Sequence, residues 1–202
     1  MDLLVAATAF ALLLPVELPD KTMVATLVLS TRYPALPVWI GVSAAFLVQT
    51  VIAVTAGGLL SLLPQRPVIA AAALLFLAGA VLLWRTAGSA DEDEAEAEEE
   101  FAGRGPARAG GLRAAGASFL VLFLAEWGDL SQLLTAGLAA RYGDPVSVFA
   151  GAWLALVTIA GIAVLLGRAL LARVRLSTIR RVAAGVCLVL AAVTGLEAAG
   201  AL

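Results

Sequence analysis

Two short acidic signatures lie inside apolar stretches of the chain, Glu17-Leu18-Pro19-Asp20-Lys21-Thr22 and Glu126-Trp127-Gly128-Asp129-Leu130-Ser131, at an offset of 109 positions. A carboxylate inside a membrane span costs roughly 2.5–3.5 kcal/mol to insert. Four of them in matched pairs need a task that offsets this cost, and passing a cation across the membrane is the chemistry that fits. Residues three apart on a helix share a face, so Glu17 is expected to point with Asp20, and Glu126 with Asp129. Meeting across the two copies, the pairs would present four carboxylates to one small cavity. Pro15 and Pro19 bracket Glu17, and neither can donate a backbone hydrogen bond, which frees the Pro15 carbonyl. Gly128 takes the place of Pro19 in the second copy. Irregular backbone at membrane depth belongs where it lines a polar cavity.

Carboxylates, freed carbonyls and the side chains of Thr22, Ser131 and Gln132 make an all-oxygen ligand set. Such a set suits Ca²⁺, Mn²⁺ or Mg²⁺, with Mg²⁺ third because it dehydrates reluctantly. It suits Zn²⁺ and Cu⁺ poorly. Met23, at the position matching Gln132, could offer a thioether, although packing is the ordinary role of methionine. Lys21 follows Glu17 by four residues, the favourable spacing for an ion pair, whereas its counterpart Leu130 is neutral. Four ionised carboxylates with one Lys cannot stay crowded in a low dielectric, so protons must compete with the cation for the same oxygens. Glu17, Lys21 and Glu126 are thus expected to tune charge or couple protons. This is a physical basis for exchange of a divalent cation against H⁺.

The elements that must position these groups follow from composition. Of 202 residues, 62% are hydrophobic, against 45–50% in soluble domains. Six segments have the roughly 20 apolar residues of a span: about 3–30, 36–63, 67–84, 114–140, 146–166 and 179–199. The expected fold is all-α, a polytopic membrane protein of six transmembrane helices. Residues 1–85 form a first three-helix repeat and 114–202 a second. Between them, 86–113 is a charged linker holding eight of the fifteen acids in the run Asp91–Glu100, expected to be a solvated tether. At the offset of 109, Phe10 matches Phe119, Thr26 matches Thr135, Arg32 matches Arg141, Tyr33 matches Tyr142, and Gln49 matches Thr158. Three spans per repeat is odd, so the second copy must enter inverted, with the site near the midplane. Placing both termini outside puts ten Arg in cytoplasmic loops and only Arg66 and Arg141 outside. The positive-inside rule favours that orientation, with the acidic linker cytoplasmic in a multi-pass protein of the cell membrane.

Other residues have plainer expected roles. Gln49, Thr50, Ser43 and Thr158 are expected either to bond between helices or to the ligands, or to ligate the cation directly. Gly57, Gly58, Gly151 and Gly161 should permit close helix packing. Trp39, Trp84 and Trp153 would anchor at the interface, whereas Trp127 would wall the cavity. Cys187 is the one cysteine and His is absent, so no Cys/His metal site can form, and Cys187 should simply pack. No nucleotide fingerprint or catalytic triad is present. No enzyme activity, cofactor or nucleic-acid partner is expected; the partners are the ions, the protons and the bilayer. Six spans can close a bundle as a monomer, and a dimer is the other arrangement open to it.

The doubled acidic motif resembles that of the GDT1 family of membrane cation transporters, whose hallmark is two copies of Glu-x-Gly-Asp-(Lys/Arg)-(Ser/Thr), one in the first span of each three-span repeat. The resemblance covers essentially the whole chain. It implies that Glu17, Asp20, Glu126 and Asp129 are cation-binding acids, with Thr22 and Ser131 at the hydroxyl positions and Lys21 at the basic one. Pro19 and Leu130 depart from the motif. The resemblance further implies efflux of Mn²⁺ or Ca²⁺ from the cytoplasm, driven by proton entry. The alternative is a LysE-type exporter of amino acids or other small solutes, but four acids with one Lys match a zwitterion poorly.

Overall fold

The computed structural model describes residues 1–18, 21–89, 92, 95–96, 99, 110–171 and 176–200. Among them every regular element is a helix: α1 (Leu3–Glu17), α2 (Lys21–Arg32), α3 (Ala35–Leu60), α4 (Gln65–Thr86), α5 (Gly111–Ala125), α6 (Leu130–Tyr142), α7 (Pro145–Leu171) and α8 (Leu176–Ala198). Helices α3, α4, α7 and α8 are each long and apolar enough to cross a membrane. The first and fourth expected spans are not straight helices. Each is a bent pair, with α1 turning 71° into α2 and α5 turning 75° into α6. The count is therefore four unbroken spans, or six with each bent pair taken as one. Most of the acidic run Asp91–Glu100 lies outside the described residues.

Sequence explains where helices start and bend. Asp2 caps α1, its carboxylate accepting from the amides of Leu4 (2.8 Å) and Val5 (3.4 Å), which satisfies donors a helix start leaves open. Asp129 caps α6 in the same way, and Gly143 ends α6 in the left-handed conformation (φ 63°) that glycine adopts without strain. Pro15 sits inside α1.

The two halves exchange their first helices. Helix α5 packs along α3, and α1 packs along α7. Both contacts are so close that a side chain would not fit. A Cβ on Gly41 would stand 2.1 Å from the Ala115 carbonyl oxygen, and one on Gly151 would stand 2.0 Å from that of Ala6. Gly57 makes a third such approach, 2.2 Å from the Ala136 carbonyl, whereas Gly58 and Gly161 meet neighbours only at ordinary distances. The exchanged contacts also correct the expected offset of 109. Ala6 and Ala115 are 109 apart, but Gly41 and Gly151 are 110 apart. One extra residue has entered between the end of α6 and α7, so the structural partner of Gln49 is Ile159, not Thr158. Thr158 is exposed and bonds its own helix at the Leu154 carbonyl.

Helices α3 and α7 pack together, tied by two indoles. Trp39 Nε1 donates to the Val157 carbonyl and Trp153 Nε1 to the Ser43 carbonyl, each at 3.1 Å. These tryptophans clasp two helices through their N–H groups. Trp84 is exposed. Helices α4 and α8 pair with each other, and Cys187 is buried there beside Phe76 and Ala80. One end of the bundle gathers the start of α1, the loop Tyr142–Pro145 and the end of α8. There Arg141 reaches Glu197 (3.0 Å) and Thr194 (2.6 Å). At the other end Arg180 donates to the Thr86 carbonyl at 2.7 Å.

Candidate cation site

Both acidic motifs fall on the bends. Glu17 is the last residue of α1 and is buried, 1% exposed. Thr22, in the first turn of α2, is also 1% exposed, and its hydroxyl has no hydrogen-bond partner among the described residues. Pro19 and Asp20 lie outside the described residues, as do the side chain of Lys21 and hence its expected pairing with Glu17.

The second motif is described in full. Helix α5 ends at Ala125, and Glu126 follows as its C-cap, 5% exposed. Gly128 then takes φ 78°, a left-handed conformation that a side chain would oppose, and Asp129 starts α6 as its N-cap. Glu126 and Asp129 therefore do not share the face of one helix. Spacing alone suggested that they would, but Gly128 breaks the helix between them, and the two acids stand on opposite lips of the bend. Asp129 accepts from the Ser131 hydroxyl (2.7 Å) and the Gln132 amide (3.0 Å).

Gln132 closes the bend with both ends of its side-chain amide. Its Oε1 accepts from the Gly128 amide (3.1 Å) and its Nε2 donates to the Glu126 carbonyl (2.8 Å). Sequence reasoning placed Gln132 among the ligands; in the structure it also holds the backbone that carries Glu126. A second glutamine arrives from α3, where buried Gln49 donates through Nε2 to the Phe123 carbonyl at 3.3 Å. Thr50, by contrast, bonds only within its own helix, at the Phe46 carbonyl. Trp127 is 61% exposed, edge-on to Phe123 with ring centroids 5.1 Å apart. It is not buried in the bundle, just before the left-handed turn at Gly128.

The first bend has different surroundings. Met23 stands where the second half has Gln132, and Ile159 where the first half has Gln49. The two pack together with Ala163, against Leu14 and Leu18. Met23 packs as methionine ordinarily does. Among the described residues no three acidic side chains gather into one group able to hold a metal ion; Asp20, one of the four acids, is outside them. What the described geometry provides is a buried carboxylate at the end of α1, a second at the end of α5, the Thr22 and Ser131 hydroxyls that follow them, and an opened backbone at the second bend. That is a hard-oxygen environment in an apolar bundle.

The family described as "Divalent cation/proton antiporter GDT1" matches residues 5–91 and 114–201. The chain is 35% identical over 186 residues to "GDT1-like protein sll0615" of Synechocystis, covering 88% of this chain and 90% of the relative. It is 29% identical over 183 residues to a Vibrio cholerae protein named "Putative manganese exporter", with 88% and 84% covered. It is also 35% identical over 164 residues to "Protein PAM71, chloroplastic" of Arabidopsis thaliana, with 72% and 44% covered. No solved structure matches the chain. With both matched segments carrying a bent helix pair that holds an acidic motif, this chain belongs to the GDT1 family of divalent-cation transporters.

Proposed function

We propose that the protein exchanges a divalent cation, Mn²⁺ ahead of Ca²⁺, for protons across the cell membrane, and that it moves the cation out of the cytoplasm. The observation that carries this reading is the coincidence of each acidic motif with a bend, leaving Glu17 and Glu126 buried at the two bends. A buried ionisable residue at membrane depth is costly, and such residues mark ion and proton pathways. Glu17, Asp20, Glu126 and Asp129 supply the charged ligands in this reading. Thr22, Ser131 and Gln132 supply neutral oxygens, and Lys21 trims the negative charge. Cation and protons compete for the same carboxylates, so arrival of one releases the other, which couples their fluxes without a separate device.

The orientation belongs to the same reading: six crossings in two inverted repeats, 1–85 and 114–202, with both termini outside and the linker 86–113 in the cytoplasm. The exchange of first helices between halves supports it, since α5 along α3 and α1 along α7 are one contact seen twice. The family match and the naming of the Vibrio cholerae relative favour a cation over the small-solute cargo of a LysE-type exporter, and manganese over calcium. The test is uptake of Mn²⁺ and of Ca²⁺ into proteoliposomes under an imposed pH gradient, with internal pH followed in parallel. Gradient-driven Mn²⁺ flux with counter-flow of protons is expected. Flux without proton movement would sink the exchange, and folded protein that moved neither ion would sink the reading as a whole.

A further inference from the structure

A helix that breaks leaves carbonyls without their partners four residues on. The last turn of α5 shows how this protein meets that need. Glu126 N–H still reaches the Leu122 carbonyl at 3.1 Å. The next carbonyl, that of Phe123, takes no bond from the Trp127 amide among the described residues, because the chain has already turned towards Gly128. Its bond comes from another helix, from Gln49 Nε2. Gln49 is 3% exposed in the interior of α3, where a glutamine is expensive to bury without such a use. Gly41 lets α3 and α5 approach two turns earlier in the same parallel register, which brings Gln49 level with the break.

We propose that Gln49 is a positioning residue for the second bend: by holding the carbonyl that the break releases, it fixes the end of α5 and with it the Glu126 side chain in the cation path. Gln49 touches the backbone three residues before Glu126, not the cargo. It works with Gln132, which holds the Glu126 carbonyl from the other side. The two amides come from different helices, α3 and α6, and so tie the bend both to its own half and to the neighbouring one. The first bend has no counterpart of this pair, with Ile159 and Met23 in the corresponding places. Gln49 is thus assigned to one of the two bends only.

The inference rests on Glu126 meeting the cation, so its test has one arm that needs no transport. Hydrogen exchange by mass spectrometry is measured on purified protein for wild type, Gln49→Met, Gln49→Asn and Thr50→Val. Gln49→Met keeps the volume and loses the donor. Gln49→Asn keeps a polar group but is one bond too short to reach, which guards against a variant that fails to fold. Thr50→Val removes a neighbouring buried hydroxyl that serves only α3. Faster exchange confined to residues 123–129 is expected in both Gln49 variants and in neither the first bend nor Thr50→Val. In the transport arm, KM for Mn²⁺ should rise about five-fold with Vmax within two-fold, the scale of one lost hydrogen bond. Unchanged exchange at 123–129 in both variants would overturn the proposal, as would acceleration spread evenly over α3 and α5, the mark of a packing role. If wild-type protein moved no cation, the exchange arm would still decide whether Gln49 holds the bend.

Discussion

The two bends carry the same acids on different scaffolding. At the second, Gln132 and Gln49 satisfy backbone groups around Glu126, and Asp129 caps the helix that leaves. At the first, Met23 and Ile159 occupy the corresponding positions in a small apolar cluster with Ala163. Both members of the pair differ together, polar in the half whose motif has Gly128 and apolar in the half whose motif has Pro19. Proline fixes its own φ and lacks a donor, so it limits the conformations of a break covalently. Glycine permits many more and must be held by neighbours. The two acidic motifs are thus alike in their acids and differ in what surrounds them.

The comparison is broken most severely by removing the acids themselves. Glu17→Gln and Glu126→Gln should each lower Mn²⁺ flux by about two orders of magnitude, the scale of ~3 kcal/mol for a lost charged contact. Size exclusion and melting in detergent should remain near wild type. Equal losses would mean that the halves contribute equally to one site. A variant at Glu17 that transported normally would show that the first bend has become only structural.

The glycine contacts ask whether the halves pack as equivalently as their geometry suggests. Gly41→Ala and Gly151→Ala each force a methyl group into a facing carbonyl, at 2.1 and 2.0 Å. Overpacking of this kind costs about 1–3 kcal/mol. Each variant should therefore lower the melting temperature in detergent by several degrees, and by similar amounts. A clear inequality between the two would show that the α1–α7 and α3–α5 contacts differ in rigidity despite their matched distances.

A smaller effect is expected from exchanging the supports. Gln132→Met gives the second bend the residue of the first and removes two hydrogen bonds, each worth ~0.5–1.5 kcal/mol. Its Mn²⁺ affinity in the flux assay should weaken by about five- to ten-fold. Met23→Gln places an amide among Leu14, Leu18, Ile159 and Ala163 and should cost stability, about 1–3 kcal/mol, with little change in Mn²⁺ affinity. If both substitutions acted alike on affinity, the contrast between a hydrogen-bonded and an apolar bend would be irrelevant to cargo.

Much of this organisation was legible in the sequence, because apolar length and paired acids are local signals. The helices coincide with the apolar segments to within a few residues at each end, and Gly128 proved to be a full break. The shared face of Glu126 and Asp129 was misread because i, i+3 spacing implies neighbours only while the helix continues, and one residue at positive φ ends it. The match of Gln49 with Thr158 failed for a different reason. A single added residue before α7 rotates every later side chain by about 100°, so Thr158 turns outward and Ile159 inward. No residue-by-residue offset reveals that; only the facing glycines do. The bonds of the Trp39 and Trp153 indoles to a neighbouring helix were not legible, because a Trp near a span end has the same sequence signal with or without such a partner.

The added residue has a consequence of its own at the start of α7. Helix α3 begins after Pro34, which offers no side-chain cap, whereas the corresponding loop of the second half holds Asp144. Its carboxylate accepts from the Ser147 amide at 3.1 Å and from the Ser147 hydroxyl, and the Asp2 amide reaches both Asp144 and Ser147. These donors, the Ser147 hydroxyl foremost, hold the Asp144 carboxyl below its ordinary value of 3.8. A lowered carboxyl stabilises the fold fully above pH 3.8, and that contribution fades as pH falls towards the lowered value. Asp144→Ala should thus reduce the melting temperature by about one or two degrees at pH 7, the smallest effect of the series. The gap between wild type and variant should close as the pH is taken below 3.8. A gap that stayed constant down to pH 3 would mean that Asp144 acts through hydrogen bonds its neutral form keeps, with no share for the charge that distinguishes this half from the other.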